Sequence, residues 1–251
     1  MKFSMRYIVP LIVVVMFSCK REQKNIYNPS KVKKLDRVFI LTETKGFRHE
    51  SIDAGLAMFN KHAGIWGIEI THADESRDMA EHDLHKYGII VLLNTTGDIF
   101  TEDEQVQLQD YLSDGGAILG IHAAADAEYD WPWYGQMLGG WFHSHPDIQH
   151  AKCTVADAQH PLAKDLPVIW KRTDEWYNFK QLSDQNKVIL LLDETSYNGG
   201  IHNSNHPISW CREWGGGRVF YTGMGHTVET YNEELFQTHI RNAIQWLRLK
   251  D

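Results

Sequence analysis

Histidine is the side chain best able to move protons or bind a metal near neutral pH, and this chain carries 14 of them in 251 residues. His122, His143, His145 and His226 fall where apolar, strand-like runs end. His143 and His145 are two apart, a spacing that turns both rings to one side of an extended segment. They form a candidate pair of ligands for Zn²⁺ or a similar divalent metal, which would need at least one more donor from His122, Glu175 or His226. The plainer reading is a turn shaped by Ser144 and Pro146 with two hydrogen-bonded imidazoles. His122 is followed by Ala123-Ala124-Ala125, so its ring must face a crevice or a buried polar partner. His226 closes Gly223-Met224-Gly225-His226, where glycines let backbone approach a ligand closely.

Asp174 and Glu175, in Asp174-Glu175-Trp176-Tyr177, could include a general base; Glu175 is the candidate, with His122 and His226 as its catalytic partners. Trp131, Trp133, Tyr134, Trp176 and Tyr177 offer faces on which a sugar ring can stack, although nine tryptophans cannot all line one pocket. Aromatic walls with a few polar groups suit a sugar-sized ligand better than a phosphate or a nucleic acid. Arg48 and His49 stand just ahead of a helix, where free N–H groups and the dipole favour an anion or a developing oxyanion. A capping cluster with Glu50 and Ser51 is the structural alternative there. Paired carboxylates beside aromatics are also a glycosidase signature, but that chemistry requires a defined separation, which sequence does not provide.

To bring such scattered residues together, the elements must end on one rim. Arg37–Thr42 is a continuous apolar run, as in a parallel strand buried on both faces. A helix over Ser51–Ala63, strands over Ile68–His72 and Tyr87–Asn94, a helix over Thr101–Asp114 and a strand over Ala117–Ile121 follow. Thr101 and Glu104 form a capping box, and Gly115-Gly116 ends that helix. This alternation predicts a mainly parallel sheet with helices on both faces, whose carboxyl-end loops converge on a crevice. The second half is more mixed, with strands expected at Ala151–Val155, Lys187–Leu192, Ile208–Cys211 and Arg218–Thr222, and a closing helix at Leu235–Leu249.

The first 18 residues read as a leader: Lys2 and Arg6, then a nearly apolar stretch from Tyr7 to Phe17. About 11 apolar residues are too few to span a bilayer, which takes roughly 20, so a cleaved signal is favoured. Met16-Phe17-Ser18-Cys19 resembles a bacterial lipobox, with methionine standing where leucine is preferred. Lipidation at Cys19 would make this an envelope lipoprotein anchored to the membrane. Residues 19–34 then read as a flexible tether and residues 35–251 as one domain without linker or repeat. Losing Lys2 and Arg6 takes two from 25 basic side chains against 33 acidic, moving the net charge from −8 to −10. Nucleic acid is not an expected partner for so acidic a chain. Cys153 and Cys211 are equally compatible with one disulfide and with two buried thiols.

Several segments together resemble the ThuA-like family, named for trehalose utilisation. They are Thr44-Lys-Gly-Phe-Arg-His-Glu-Ser51, Leu93-Asn-Thr-Thr-Gly97, Gly120-Ile-His-Ala-Ala-Ala125 with Glu128-Tyr-Asp-Trp-Pro-Trp-Tyr134, His143-Ser-His-Pro146, Thr173-Asp-Glu-Trp-Tyr-Asn178, His206-Pro-Ile-Ser-Trp210 and Tyr221-Thr-Gly-Met-Gly-His226. The resemblance implies a single-domain α/β sandwich of the flavodoxin-like and class I glutamine amidotransferase-like kind. Amidotransferases place a cysteine on the turn after a strand, in a Gly-x-Cys-x-Gly elbow. The corresponding turn here reads Gly120-Ile121-His122-Ala123-Ala124, so thioester chemistry is excluded although the architecture is shared.

For function, the resemblance implies work on disaccharides already oxidised to 3-keto sugars by a partner dehydrogenase, with isomerisation of the keto product as the expected reaction type. One base for the C–H beside the carbonyl, and one donor or metal for the enediolate oxygen, would suffice. No nucleotide cofactor is expected. A non-catalytic carbohydrate-binding lipoprotein and a metal-dependent glycoside or sugar-ester hydrolase are the alternatives.

Overall fold

The computed structural model describes residues 34–249. The leader, Cys19 and the tether read from the sequence lie outside the described residues. Strands β1 (Arg37–Leu41), β3 (Ile89–Leu93) and β4 (Ala117–Ile121) are almost completely buried. Their unbroken apolar sequences match a sheet covered on both faces. With β2 (Glu69–Ala73) and β11 (Gly217–Thr222) they form a parallel set in the order β2-β1-β3-β4-β11. The register aligns Leu93, Ile121 and Thr222 in one row. Asn94, His122 and Gly223 therefore leave the sheet side by side.

Helices α1 (Ser51–Trp66), α2 (Ser76–Ala80) and α3 (Glu102–Ser113) make the crossovers, and α5 (Glu234–Leu247) closes the chain. Both halves of the Thr101/Glu104 capping box are formed at α3. The 229–232 turn lies between α1 and α5, and α2 packs on α3.

Beyond β11 the sheet continues antiparallel through β10 (Pro207–Trp214), β9 (Lys187–Asp193), β6 (Gln149–Val155) and the edge strand β7 (Ile169–Asp174). Alternation of direction makes β7 run the same way as β11, so both end on the same rim. β10, β9 and β6 separate them in the sheet, yet Trp170 of β7 packs against His239 of α5 and Asp174 bonds the Gly225 amide. The sheet therefore curls around α5 and returns its far edge to the rim. The burial of β7 alternates strictly, with Trp170, Arg172 and Asp174 inward, as that packing requires. A ribbon of β5 (Trp141–Ser144) and β8 (Asn178–Lys180) follows the short helix α4 (Pro132–Leu138). Cys153 and Cys211 are free and buried, which resolves the disulfide question in favour of thiols.

Candidate functional site

His122 sits on the turn where β4 ends, with φ of +48°. A left-handed backbone costs a non-glycine residue about 1–2 kcal/mol and needs compensation from its surroundings. Here the His122 carbonyl accepts from the Tyr221 hydroxyl at 2.8 Å and the ring Nδ1 donates to the Gly223 carbonyl at 2.8 Å. The second bond puts a proton on Nδ1 and turns Nε2 into the rim, a common arrangement for ligating histidines.

The loop after β11 brings His226 to meet it. Gly225 has φ of +122°, and a Cβ there would lie 2.9 Å from both Ile121 Cγ2 and the Tyr231 hydroxyl. Its carbonyl accepts from Ser51 Oγ at 3.1 Å, Asn94 Nδ2 at 3.2 Å and Tyr231 Oη at 3.0 Å. On the other face, the buried Asp174 carboxylate accepts the N–H groups of Gly225 at 2.9 Å, His226 at 3.1 Å and Glu175 at 3.0 Å. Arg172 neutralises Asp174 at 3.1 Å.

Three atoms consequently form a nearly equilateral triangle. His122 Nε2 is 3.2 Å from His226 Nδ1, His226 Nδ1 is 3.1 Å from Glu175 Oε2, and His122 Nε2 is 3.4 Å from the same oxygen. His49 joins them, giving four residues whose donor atoms all lie within 4.8 Å of one another. His49 is buried, its ring meets those of His122 and His226 edge-on at 5.0 Å each, and its Nδ1 has no hydrogen-bond partner. Tetrahedral Zn²⁺ with bonds of about 2.0–2.2 Å separates its ligand atoms by about 3.3 Å, close to the edges of this triangle.

The shifts at His49 and Glu175 favour their ligand forms, a neutral imidazole and an ionised carboxylate, whereas that at His226 favours its protonated form, which a cation would have to displace. Burial, reinforced by His122 and His226, pushes the His49 pKa down to about 3, which keeps the imidazole neutral. Burial opposes ionisation of Glu175, but His122 and His226 outweigh it and hold the carboxyl well below the usual range. Burial likewise disfavours charge on His226, yet Glu175 prevails and raises its pKa.

The structure assembles His122, Glu175 and His226, placed far apart in sequence, and moves His49 from the expected anion site into their group. The helix start keeps no side-chain cap. Arg48 is exposed and donates to the Thr42 carbonyl at 3.3 Å. His143 and His145, read from the sequence as a metal pair, lie outside the four-residue group among the described residues. β5 ends at Ser144 with an irregular register after Phe142, which breaks the alternation assumed for them. His143 is exposed, whereas His145 turns Nδ1 to Glu175 Oε1 at 3.1 Å.

Tyr134 and Trp176 are completely buried, their polar tips bonded to the Ala124 and Gln149 carbonyls at 2.7 and 2.8 Å, so neither presents a face to a sugar. Trp131 and Trp133 stack on each other at 4.9 Å, and Trp131 also meets Phe100 and Tyr134. Of the five aromatic residues expected to line a sugar site, Tyr177 is the one whose ring meets the cluster, 4.1 Å from His122. Asn94, Ser51 and Asp174 shape the site without being donors. In the sequence, Ser51 reads as part of a capping cluster and Asp174 as a carboxylate beside the candidate base, whereas Asn94 carries no signal beyond its motif stretch.

A family model described as trehalose utilisation matches residues 37–247. The chain belongs to the ThuA family. Solved structures similar to it include a ThuA-like protein from Bacteroides uniformis, 23% identical, with a TM-score of 0.72 over 88% of this chain and 94% of that one. A second, from Parabacteroides merdae, is 18% identical with a TM-score of 0.71 over 84% of this chain and 89% of that one. A β-galactosidase from Bacillus circulans is 10% identical, TM-score 0.52, and aligns 86% of this chain with 32% of its own. At these identities the likeness is one of fold. No curated protein is matched. Among the described residues, no helix is long and apolar enough to cross a membrane.

Proposed function

We propose that this ThuA-family protein is an enzyme of carbohydrate catabolism that binds a divalent cation, Zn²⁺ or similar, and acts on a keto-disaccharide or related glycoside by proton transfer. The triangle of His122 Nε2, His226 Nδ1 and Glu175 Oε2, completed by the unpartnered Nδ1-bearing ring of His49, is the observation that carries this reading. A cation held by these four side chains would supply a Lewis acid for a carbonyl or enediolate oxygen.

His145 is the group best placed to handle the proton. Its Nδ1 faces both Glu175 Oε1 at 3.1 Å and the Pro146 carbonyl at 3.0 Å. Those acceptors favour a proton on Nδ1 and leave Nε2 as the basic atom. The ring is 43% exposed and therefore reachable by substrate. Glu175 thus orients His145 with one oxygen while the other faces the imidazoles, a different division of labour from a free carboxylate base.

The leader motif supports placement in the bacterial envelope with lipid on Cys19, and the family supports a partner sugar dehydrogenase that supplies the keto substrate. Metal analysis of the purified protein, followed by incubation with 3-keto and unoxidised disaccharides, tests the core of the proposal. Stoichiometric metal together with consumption of the keto sugar supports it. A metal-free chain that leaves every keto sugar unchanged overturns it, and metal-bound protein that only binds sugars would make this a recognition module.

A further inference from the structure

A cleft of about 310 Å³ opens onto His49 and His226. Three unusually exposed apolar side chains line it: Phe47 at 65%, Ile148 at 48% and Val228 at 41%. Single exposed apolar residues need no explanation, but several gathered around one opening suggest a ligand contact. The Phe47 ring meets the His49 ring edge-on at 4.9 Å, so the apolar lining of the cleft adjoins the cluster. The backbone beneath Phe47 is pinned: Lys45 N–H and Gly46 N–H donate to the Thr96 carbonyl, and the Phe47 carbonyl accepts from Thr96 Oγ1 at 2.9 Å. Val228 leads into the 229–232 turn, which is tied back by the Thr230 N–H to Thr227 Oγ1. The apolar groups are therefore presented by an anchored backbone, which lowers the entropic cost of binding.

The acidic side chains lining the cleft are Glu50 and Glu229, both exposed; no lysine or arginine is among the lining residues, and His226 lies at the inner end beside Glu175. Two carboxylates at the mouth disfavour an anion entering it. We infer that the cleft seats the apolar aglycone of an uncharged glycoside, an aryl or alkyl group against Phe47, Ile148 and Val228 with the sugar directed to His49 and His226, and that Glu50 and Glu229 exclude phosphorylated sugars. The sugar half of this assignment rests on the proposed function, whereas the apolar half stands on the cleft itself.

Saturation-transfer NMR titrations of the full chain with phenyl β-D-glucopyranoside, methyl β-D-glucopyranoside and glucose 6-phosphate test it. The phenyl glycoside should bind about tenfold more tightly than the methyl glycoside, the scale expected for partly covering one aromatic ring, and the phosphate should not bind. Phe47→Ala, at an exposed position, should abolish the phenyl preference, Val228→Ser should reduce it, and Glu50→Gln with Glu229→Gln should admit the phosphate. Equal binding of the phenyl and methyl glycosides by the unmodified chain, no binding of either, or equal losses for both in Phe47→Ala would overturn the inference. Because these probes are unoxidised, the result is separable from the functional reading. A chain that prefers the phenyl glycoside but consumes no keto sugar loses the catalytic proposal and keeps the cleft, and the opposite outcome does the reverse.

Discussion

The Asp174 carboxylate accepts the backbone N–H of His226 at 3.1 Å and, through the same oxygen, the N–H of Glu175 at 3.0 Å. One buried side chain thus holds together two donor residues carried on the loops that follow different strands. Replacing an outer partner of this kind commonly costs 10–100-fold in metal affinity. Asp174→Asn keeps one acceptor oxygen and loses the other, and should weaken Zn²⁺ binding by about that factor in a competitive chelator titration. Unchanged affinity in a folded variant would show that the donors hold their geometry without it.

Metal should also stabilise the fold. A ligand at 100 times its Kd adds about 2.7 kcal/mol to a protein that binds it only when folded. Zn²⁺ should raise the thermal midpoint of the unmodified chain, and the rise should shrink in His49→Ala and His122→Ala. His143→Ala, at an exposed position outside the four-residue group, should retain the full rise.

Turnover should separate the cluster from the thiols. His122→Ala and Glu175→Gln should lower consumption of a 3-keto disaccharide by about 10²–10⁴, the range typical of lost acid–base groups. Cys153→Ser and Cys211→Ser should leave the rate per folded molecule nearly unchanged, because burial raises both thiols to about 12 and removes them from nucleophilic chemistry at neutral pH.

Stability should fall in mild acid. Burial, with Arg172 nearby, pushes the pKa of His239 down to about 3. As pH drops below about 6.5 the unfolded chain gains a proton that the native state refuses, so the stabilisation is complete above that pH and erodes toward 3. The slope approaches 1.4 kcal/mol per pH unit for one such group. Urea melts between pH 7 and 4 should show the decline, and His239→Gln should make it shallower by one group's share, leaving the part due to buried His49.

The leader carries its own expectation. Intact-mass measurement of envelope-derived protein should find a mature chain beginning at Cys19 with added acyl mass. An unprocessed chain starting at Met1 would remove the membrane anchor from the functional picture.

The parallel half of the sheet was legible because strands buried on both faces leave nearly pure apolar runs, as Arg37–Leu41, Ile89–Leu93 and Ala117–Ile121 do. β7 left no such run. Its alternating sequence Ile-Trp-Lys-Arg-Thr-Asp buries an arginine and an aspartate, which looks like surface until their ion pair is known. His122 and His226 could be located from the strands they follow. His49 could not be identified as a donor, because its ring orientation depends on His122 and His226, both far along the chain. Tyr134 and Trp176 misled for the opposite reason: an amphipathic aromatic with its polar tip bonded to a buried carbonyl has the same sequence signature as one lining a pocket.

The curl that carries β7 back to the rim has a consequence for biosynthesis. The earliest donor follows the first strand of the domain, and the last precedes the closing helix, so a ribosome must release nearly the entire chain before all four can meet. A nascent fragment that stops short of His226 lacks the complete nest of four donors. Occupancy would therefore act as a receipt for finished folding, issued only to chains that have closed their sheet around the terminal helix.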